Sequence, residues 1–356
     1  MNQLTISRPE SALAEPQPPI AAELIIARLL EGEDLDVREA ELLFAELVGG
    51  RIPEPLMAAA FVALRLKGET GTELTGAAFA LRDAARPFPR PDYLFADSCG
   101  TGGDCSGSIN VSTAAGMVAA AAGLPIVKHG NRSFTSKCGS ADVLEALGAR
   151  LDVSAERSRQ ILDETGFCFL LAPLYHPGIA HAGPVRRALK VRTIMNLLGP
   201  CLNPARPSVQ LLGVAEPKLI RPVAETLRAL GVERALVVHG SGLDEIALHG
   251  FTQAIRLSGR RLEPLEITPE QAGLERRPVE AIAGGTPTDN AALLSATLAG
   301  KGDPAHADVI VLNSGALLAT AGLATDLADG AAKARDALAS GGAQRLLNAF
   351  VEASNG

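Results

Sequence analysis

Three stretches of this chain concentrate the residue types that bind phosphate and metal. The first is Asp97-Ser98-Cys99-Gly100-Thr101-Gly102-Gly103-Asp104, followed by Ser108-Ile109-Asn110-Val111-Ser112-Thr113 at the start of a helical segment. Glycines let backbone amides approach a phosphate closely, and a helix N-terminus adds unpaired N–H groups and a positive dipole. The spacing is neither that of a Walker A loop, which would end in Gly-Lys-Ser/Thr, nor GxGxxG. A diphosphate cradle fits it; a Gly-rich turn with Ser112 as a helix cap is the plainer alternative. The second stretch is Lys128-His129-Gly130-Asn131-Arg132, continued by Ser133-Phe134-Thr135-Ser136 and, before the next helix, Ser140. Lys128 and Arg132 amid glycine and hydroxyl groups suit a phosphorylated ligand better than a solvated turn. The third is Asp244-Glu245 in HGSGLDEIALHG. Adjacent carboxylates suit Mg2+, which prefers a few carboxylates together with substrate phosphates and retained waters. Alone, such a pair is ordinarily a solvated turn.

Arg186 and Arg187 follow Pro184 in a helical stretch, and neighbours on a helix point about 100° apart, so only one can face a given ligand. Five cysteines (Cys99, Cys105, Cys138, Cys168, Cys201) are odd in number and include no CxxC pair. They read as reduced packing residues rather than a disulfide framework or a zinc site. Cys99 and Cys138 lie in the glycine-rich loops without a neighbouring pattern that marks a nucleophile.

These loops need strands and helices to hold them. Of the 356 residues, 47% are hydrophobic and 21% charged, the balance of a folded globular protein. Residues 1–19 form a Pro-rich leader without apolar periodicity. From 20 to 90, four segments (AAELIIARLLEG, DVREAELLFAELVGG, PEPLMAAAFVALRLKG, GTELTGAAFALRDAAR) have apolar residues at helical spacing, which predicts a small helical domain. Beyond PFPRPDY, short apolar strands alternate with helices: LFADSCG, PIVKHG, FCFLLAP, SVQLLGV and RALVVHG. Such alternation predicts an α/β domain over 91–176 and 201–356, with a mostly parallel sheet. The polar, Gly-rich loops sit at the C-terminal strand ends, where open α/β sheets place their ligands. Helices within 177–200 interrupt this pattern and are expected to pack on the first helical domain.

The net charge of −7, with 3% aromatics and no Trp, argues against a surface that tracks nucleic acid. Apolar runs such as Val118 to Ala122 fall far short of the roughly 20 residues a membrane span needs. The first residues lack the apolar core of a secretory signal, so a cytoplasmic location is expected.

The motifs GTGGD, NVST, KHGNR, CGSADVLEALG and PVRRALKVRTIMNLLGPCLNP closely resemble those of the anthranilate phosphoribosyltransferases, over residues 20 to 350 and in order. The resemblance implies the nucleoside phosphorylase/phosphoribosyltransferase-like fold, a small all-helical domain plus a larger α/β domain. It implies a homodimer that joins anthranilate to 5-phosphoribosyl 1-diphosphate (PRPP), releasing diphosphate, in tryptophan biosynthesis. Carried onto this chain, it places PRPP against Gly100, Gly103, Asp104, Ser108, Asn110, Val111, Ser112 and Thr113. Lys128, His129, Gly130, Asn131, Arg132, Ser133, Phe134, Thr135, Ser136 and Ser140 complete that site. Gly100, Asn131 and Arg186 would bind anthranilate, and Ser112, Asp244 and Glu245 would hold Mg2+. Ala172 to His176 and His181 are expected along the aromatic's access path. No acid or base is assigned, since the amine of anthranilate is itself the nucleophile. Lys190 stands where the family commonly has Gly, and Met195 where Phe is common. Two rivals are a fold relative with another substrate or nucleic acid, and a nucleoside phosphorylase using inorganic phosphate.

Overall fold

The computed structural model describes residues 22–133 and 137–356. The Pro-rich leader and the candidates Phe134, Thr135 and Ser136 lie outside the described residues. The chain starts with four helices, α1 (Ala22–Leu30), α2 (Val37–Val48), α3 (Glu54–Lys67) and α4 (Gly71–Asp83). Two of them are started by reciprocal side-chain caps: Asp36 with Glu39 for α2, and Thr70 with Glu73 for α4. Glu73 is only 1% exposed, yet it accepts from the amides of Leu35 (3.0 Å) and Thr70 (2.9 Å) and from Lys67 Nζ (3.0 Å). A carboxylate so paired is tolerated in a core that would otherwise expel it.

Seven strands follow: β1 (Ala96–Gly100), β2 (Ile126–Gly130), β3 (Phe167–Leu171), β4 (Val209–Gly213), β5 (Arg234–His239), β6 (Thr252–Ser258) and β7 (Arg261–Ile267). They form one sheet in the order β3-β2-β1-β4-β5-β6-β7. The first five are parallel, and β6 and β7 add an antiparallel edge. The fold is therefore the expected one, an α/β domain with a mostly parallel sheet beside a helical N-terminal domain. The edge hairpin is additional to the sequence reading. β1 and β2 share only the Ala96↔Ile126 pairing, whereas β1 pairs with β4, and β2 with β3, over five residues each.

Helix α5 (Val111–Ala121) joins β1 to β2, and α6 (Ser140–Ala146) and α7 (Ala155–Thr165) join β2 to β3. Between β3 and β4 run α8 (Ala172–Tyr175), α9 (Gly183–Leu189) and α10 (Ile194–Leu198). Then α11 (Ile220–Ala229) leads from β4 to β5, and α12 (Pro287–Leu298), α13 (Pro304–Ala321), α14 (Leu327–Ala339) and α15 (Gly342–Asn355) close the chain.

Period-two alternation splits the sheet between two cores. Leu211, Leu236 and Val238 face one core with α5, α13 and α15, while Leu212, Val237 and Ile255 face another built largely from α1–α4 and α11. Val185, Ile194, Leu197 and Leu198, from the stretch between β3 and β4, enter that second core. Helices distant in sequence thus share one apolar interior. No described helix is long and apolar enough to cross a membrane.

Candidate active site

A cleft of about 610 Å3 opens at the C-terminal ends of β1 and β2, and every described residue expected to bind PRPP, anthranilate or Mg2+ lines it. Its walls are Gly100, Gly103, Asp104, Ser108 and Asn110 to Thr113 on one side and Lys128 to Ser133 with Ser140 on another. Asp244 and Glu245 approach from the turn after β5, and Arg186 from α9.

Close backbone approach explains the glycines at the strand ends. A Cβ on Gly213 would stand 1.6 Å from Asp244 O, and one on Gly100 would stand 2.3 Å from Asp244 Oδ2. Any side chain there would push the acids out of the cleft. The acids in turn hold the first loop. The Gly102 amide donates to Asp244 Oδ2 (2.6 Å), and the Ser112 amide, at the N-terminus of α5, donates to Glu245 Oε1 (3.0 Å). Burial raises the pKa of both acids; nearby Asp104 adds to the rise at Asp244, and Asp244 to that at Glu245. Buried like charges of this kind favour a cation.

Among the described residues no group of three or more His, Cys, Asp or Glu side chains makes a ready metal cage. Two carboxylates and the neighbouring Ser112 hydroxyl are instead a partial, all-oxygen set. That set fits Mg2+, which takes few protein ligands and completes its shell with substrate phosphates and water.

The second loop divides its charge unevenly. Lys128 is 2% exposed, and its Nζ donates to Ser98 O and to Ser112 Oγ (3.2 Å). Arg132 is exposed and forks onto Glu145, with Nε to Oε2 at 3.1 Å and Nη2 to Oε1 at 2.5 Å. Between them His129 is buried edge-on to His176, with ring centroids 5.2 Å apart. Burial first, and the neighbouring His176 second, hold its pKa down to about 3. At neutral pH His129 is therefore an uncharged imidazole and adds nothing to phosphate neutralisation.

On α9, Arg186 lines the cleft and is partly buried, while Arg187 is exposed beside Gly183. Along the expected access path Ala172, Pro173 and His176 line the cleft, whereas Leu174, Tyr175 and His181 do not: Tyr175 is buried in the core beside the sheet with Leu174 packed against it, and His181 packs over Gly50 of the helical bundle.

Two neighbours of the site escaped the sequence reading. Asn290 lines the cleft from α12, donates from Nδ2 to Asn110 Oδ1 (2.8 Å) and accepts the Gly285 amide (2.7 Å). Arg192 donates to Thr101 Oγ1 and Gly103 O, both at 3.4 Å, behind the glycine-rich loop. PTDNAALL carries no signature that marks an asparagine as a brace; Arg192 lies inside the motif that suggested the family, but nothing singled it out there.

The helical bundle domain of a glycosyl transferase family matches residues 24–85, and the a/b domain of a glycosyl transferase family matches residues 92–344. An anthranilate phosphoribosyltransferase from Sorangium cellulosum (strain So ce56) is 55% identical over 330 residues, covering 93% of this chain and 95% of that one. The chain belongs to the anthranilate phosphoribosyltransferase family. Of solved structures of anthranilate phosphoribosyltransferases, that from Thermus thermophilus has a TM-score of 0.89 at 42% identity, covering 93% of this chain and 99% of that one. The Saccharomyces cerevisiae enzyme in complex with PRPP and Mg has a TM-score of 0.85 at 26% identity, covering 94% and 98%.

Proposed function

We infer that the chain transfers the 5-phosphoribosyl group of PRPP to the amine of anthranilate, giving N-(5-phosphoribosyl)anthranilate and diphosphate, in tryptophan biosynthesis. The observation that carries the site assignment is the convergence in one cleft of two amide-rich phosphate loops, a pair of buried acids and Arg186. The yeast relative in complex with PRPP and Mg supports PRPP and Mg2+ as ligands of this cleft.

In this reading the loops after β1 and β2 hold the sugar phosphate and diphosphate through backbone amides, hydroxyls and Lys128. Arg186 pairs with the carboxylate of anthranilate, a planar match that a lysine could not reproduce. The amine lone pair forms a bond to ribose C1 while the C1–O bond to diphosphate breaks, and the nitrogen then releases a proton to solvent. Holding amine and C1 together and neutralising the departing charge supply the acceleration. Ser112, Asp244 and Glu245 would hold Mg2+, which when bound supplies positive charge to the departing diphosphate. His129 is neutral and needs no acid or base role.

The chain would act as a homodimer in the cytoplasm; Leu24 and Leu30 on α1 and Leu66 on α3 are exposed and would be covered by a second copy. Diphosphate release is the direct assay. It should require both PRPP and anthranilate; phosphorolysis of a pyrimidine nucleoside by inorganic phosphate, without either, would place the chain with the nucleoside phosphorylases instead.

A further inference from the structure

We propose that Asp97 and Asn203 are positioning residues that wedge the fork between β1 and β2, fix the gap between the two phosphate loops and aim Lys128 into it. The proposal rests on the PRPP reading of the cleft.

β1 and β2 are parallel neighbours that pair only at Ala96↔Ile126, one residue before Asp97 and Val127. From there onward side chains replace the ladder. Asn203 Nδ2 donates to Asp97 Oδ2 on β1 (2.9 Å) and to Val127 O on β2 (2.7 Å). One residue further along, Lys128 Nζ crosses the fork in the other direction to Ser98 O. The Asn203 carbonyl oxygen accepts the Ala205 amide (2.9 Å), which holds its amide group in a single orientation. A closed ring results, running through Asp97, Asn203, Val127, Lys128 and Ser98.

Asp97 is 0% and Asn203 1% exposed, and neither lines the cleft, so their influence on substrate passes through Lys128 and the loops. Burial pushes the Asp97 carboxyl up to about 6, while Lys128 and Asn203 pull the other way, which leaves it ionised at neutral pH. A buried anion is costly, and an apolar pair would fill the same space at lower cost. Here it supplies the counter-charge for an ammonium that must stay buried at a phosphate site. Asn203 also lies on the segment that returns from α10 to β4, so the same ring fastens the crossing chain at the fork. A shift of about 1 Å between reacting groups can cost on the order of 100-fold in rate, so the width of this fork matters to the reaction.

The test measures PRPP affinity by calorimetry with Mg2+ present, and steady-state kinetics for both substrates. It uses the full chain, Asp97→Asn, Lys128→Met and the double variant. Asp97→Asn keeps the shape and removes the charge. It should weaken PRPP binding and raise the KM for PRPP about tenfold, leaving the KM for anthranilate within about twofold, and Asn203→Ala should follow the same pattern. In the Lys128→Met background, Asp97→Asn should cost no further affinity and should increase resistance to urea, because it deletes a buried charge that has lost its partner. Asp97→Asn with full affinity, beside a weakened Lys128→Met, overturns the wedge and leaves the reading of the cleft standing. Lys128→Met with full affinity overturns both. Should Asp97→Asn alone fail to fold, the double variant decides: recovery of folding supports the pairing, and equal instability overturns it.

Discussion

Arg186 and Arg187 are adjacent on α9, yet only Arg186 reaches the cleft. Arg186→Ala should remove a charged hydrogen-bonded pair worth about 1.5 to 3 kcal/mol, lowering kcat/KM for anthranilate roughly 10- to 150-fold. Arg187→Ala should stay near the parent value, and kinetics with the two effects exchanged would reassign the carboxylate partner. Burial of His129 sets an acid limit on stability. An unfolded histidine titrates near pH 6.5, whereas folded His129 resists protonation down to about 3. The unfolded chain therefore takes up a proton that the folded chain refuses, and stability falls as pH drops through that window. Between about pH 6.5 and 5, one such histidine accounts for about 2 kcal/mol. Urea unfolding of His129→Gln should show a flatter acid slope by about that amount; an equally steep slope would mean that other groups set it.

Lys190 ends α9 with φ 51°, in the left-handed region that favours glycine. A side chain held there costs about 1 kcal/mol. Lys190→Gly should therefore raise the melting temperature by about 1 to 2 °C with unchanged kinetics, checked by thermal unfolding. A fall would show that the lysine makes a contact outweighing its backbone strain. Local signals of this kind also decide how much of the architecture was legible beforehand. The five parallel strands stand out as short apolar runs because both of their faces are covered. β6 and β7 do not: Arg256 and Glu266 are exposed, and Pro264 sits where only an edge strand accepts it. At the site, the loops are readable because glycine, lysine and paired acids have few other reasons to cluster. Asn290 is not, since its work is a hydrogen bond to Asn110, 180 residues away in sequence.

At the scale of the whole molecule, the acids after β5, the helix start after β1 and the loop after β2 meet only because the sheet order sets β2, β1, β4 and β5 side by side. The central claim is that this meeting point holds PRPP together with Mg2+, each completing the other's site. Calorimetric titration of PRPP into the protein, with and without Mg2+, tests it most directly. Mg2+ should tighten PRPP binding by at least about fivefold, and PRPP should tighten Mg2+ binding by the same factor. Combining Asp244→Asn with Glu245→Gln keeps the shape, removes two negative charges and should abolish that coupling. PRPP affinity indifferent to Mg2+, or coupling undiminished in the double amide variant, would contradict the account.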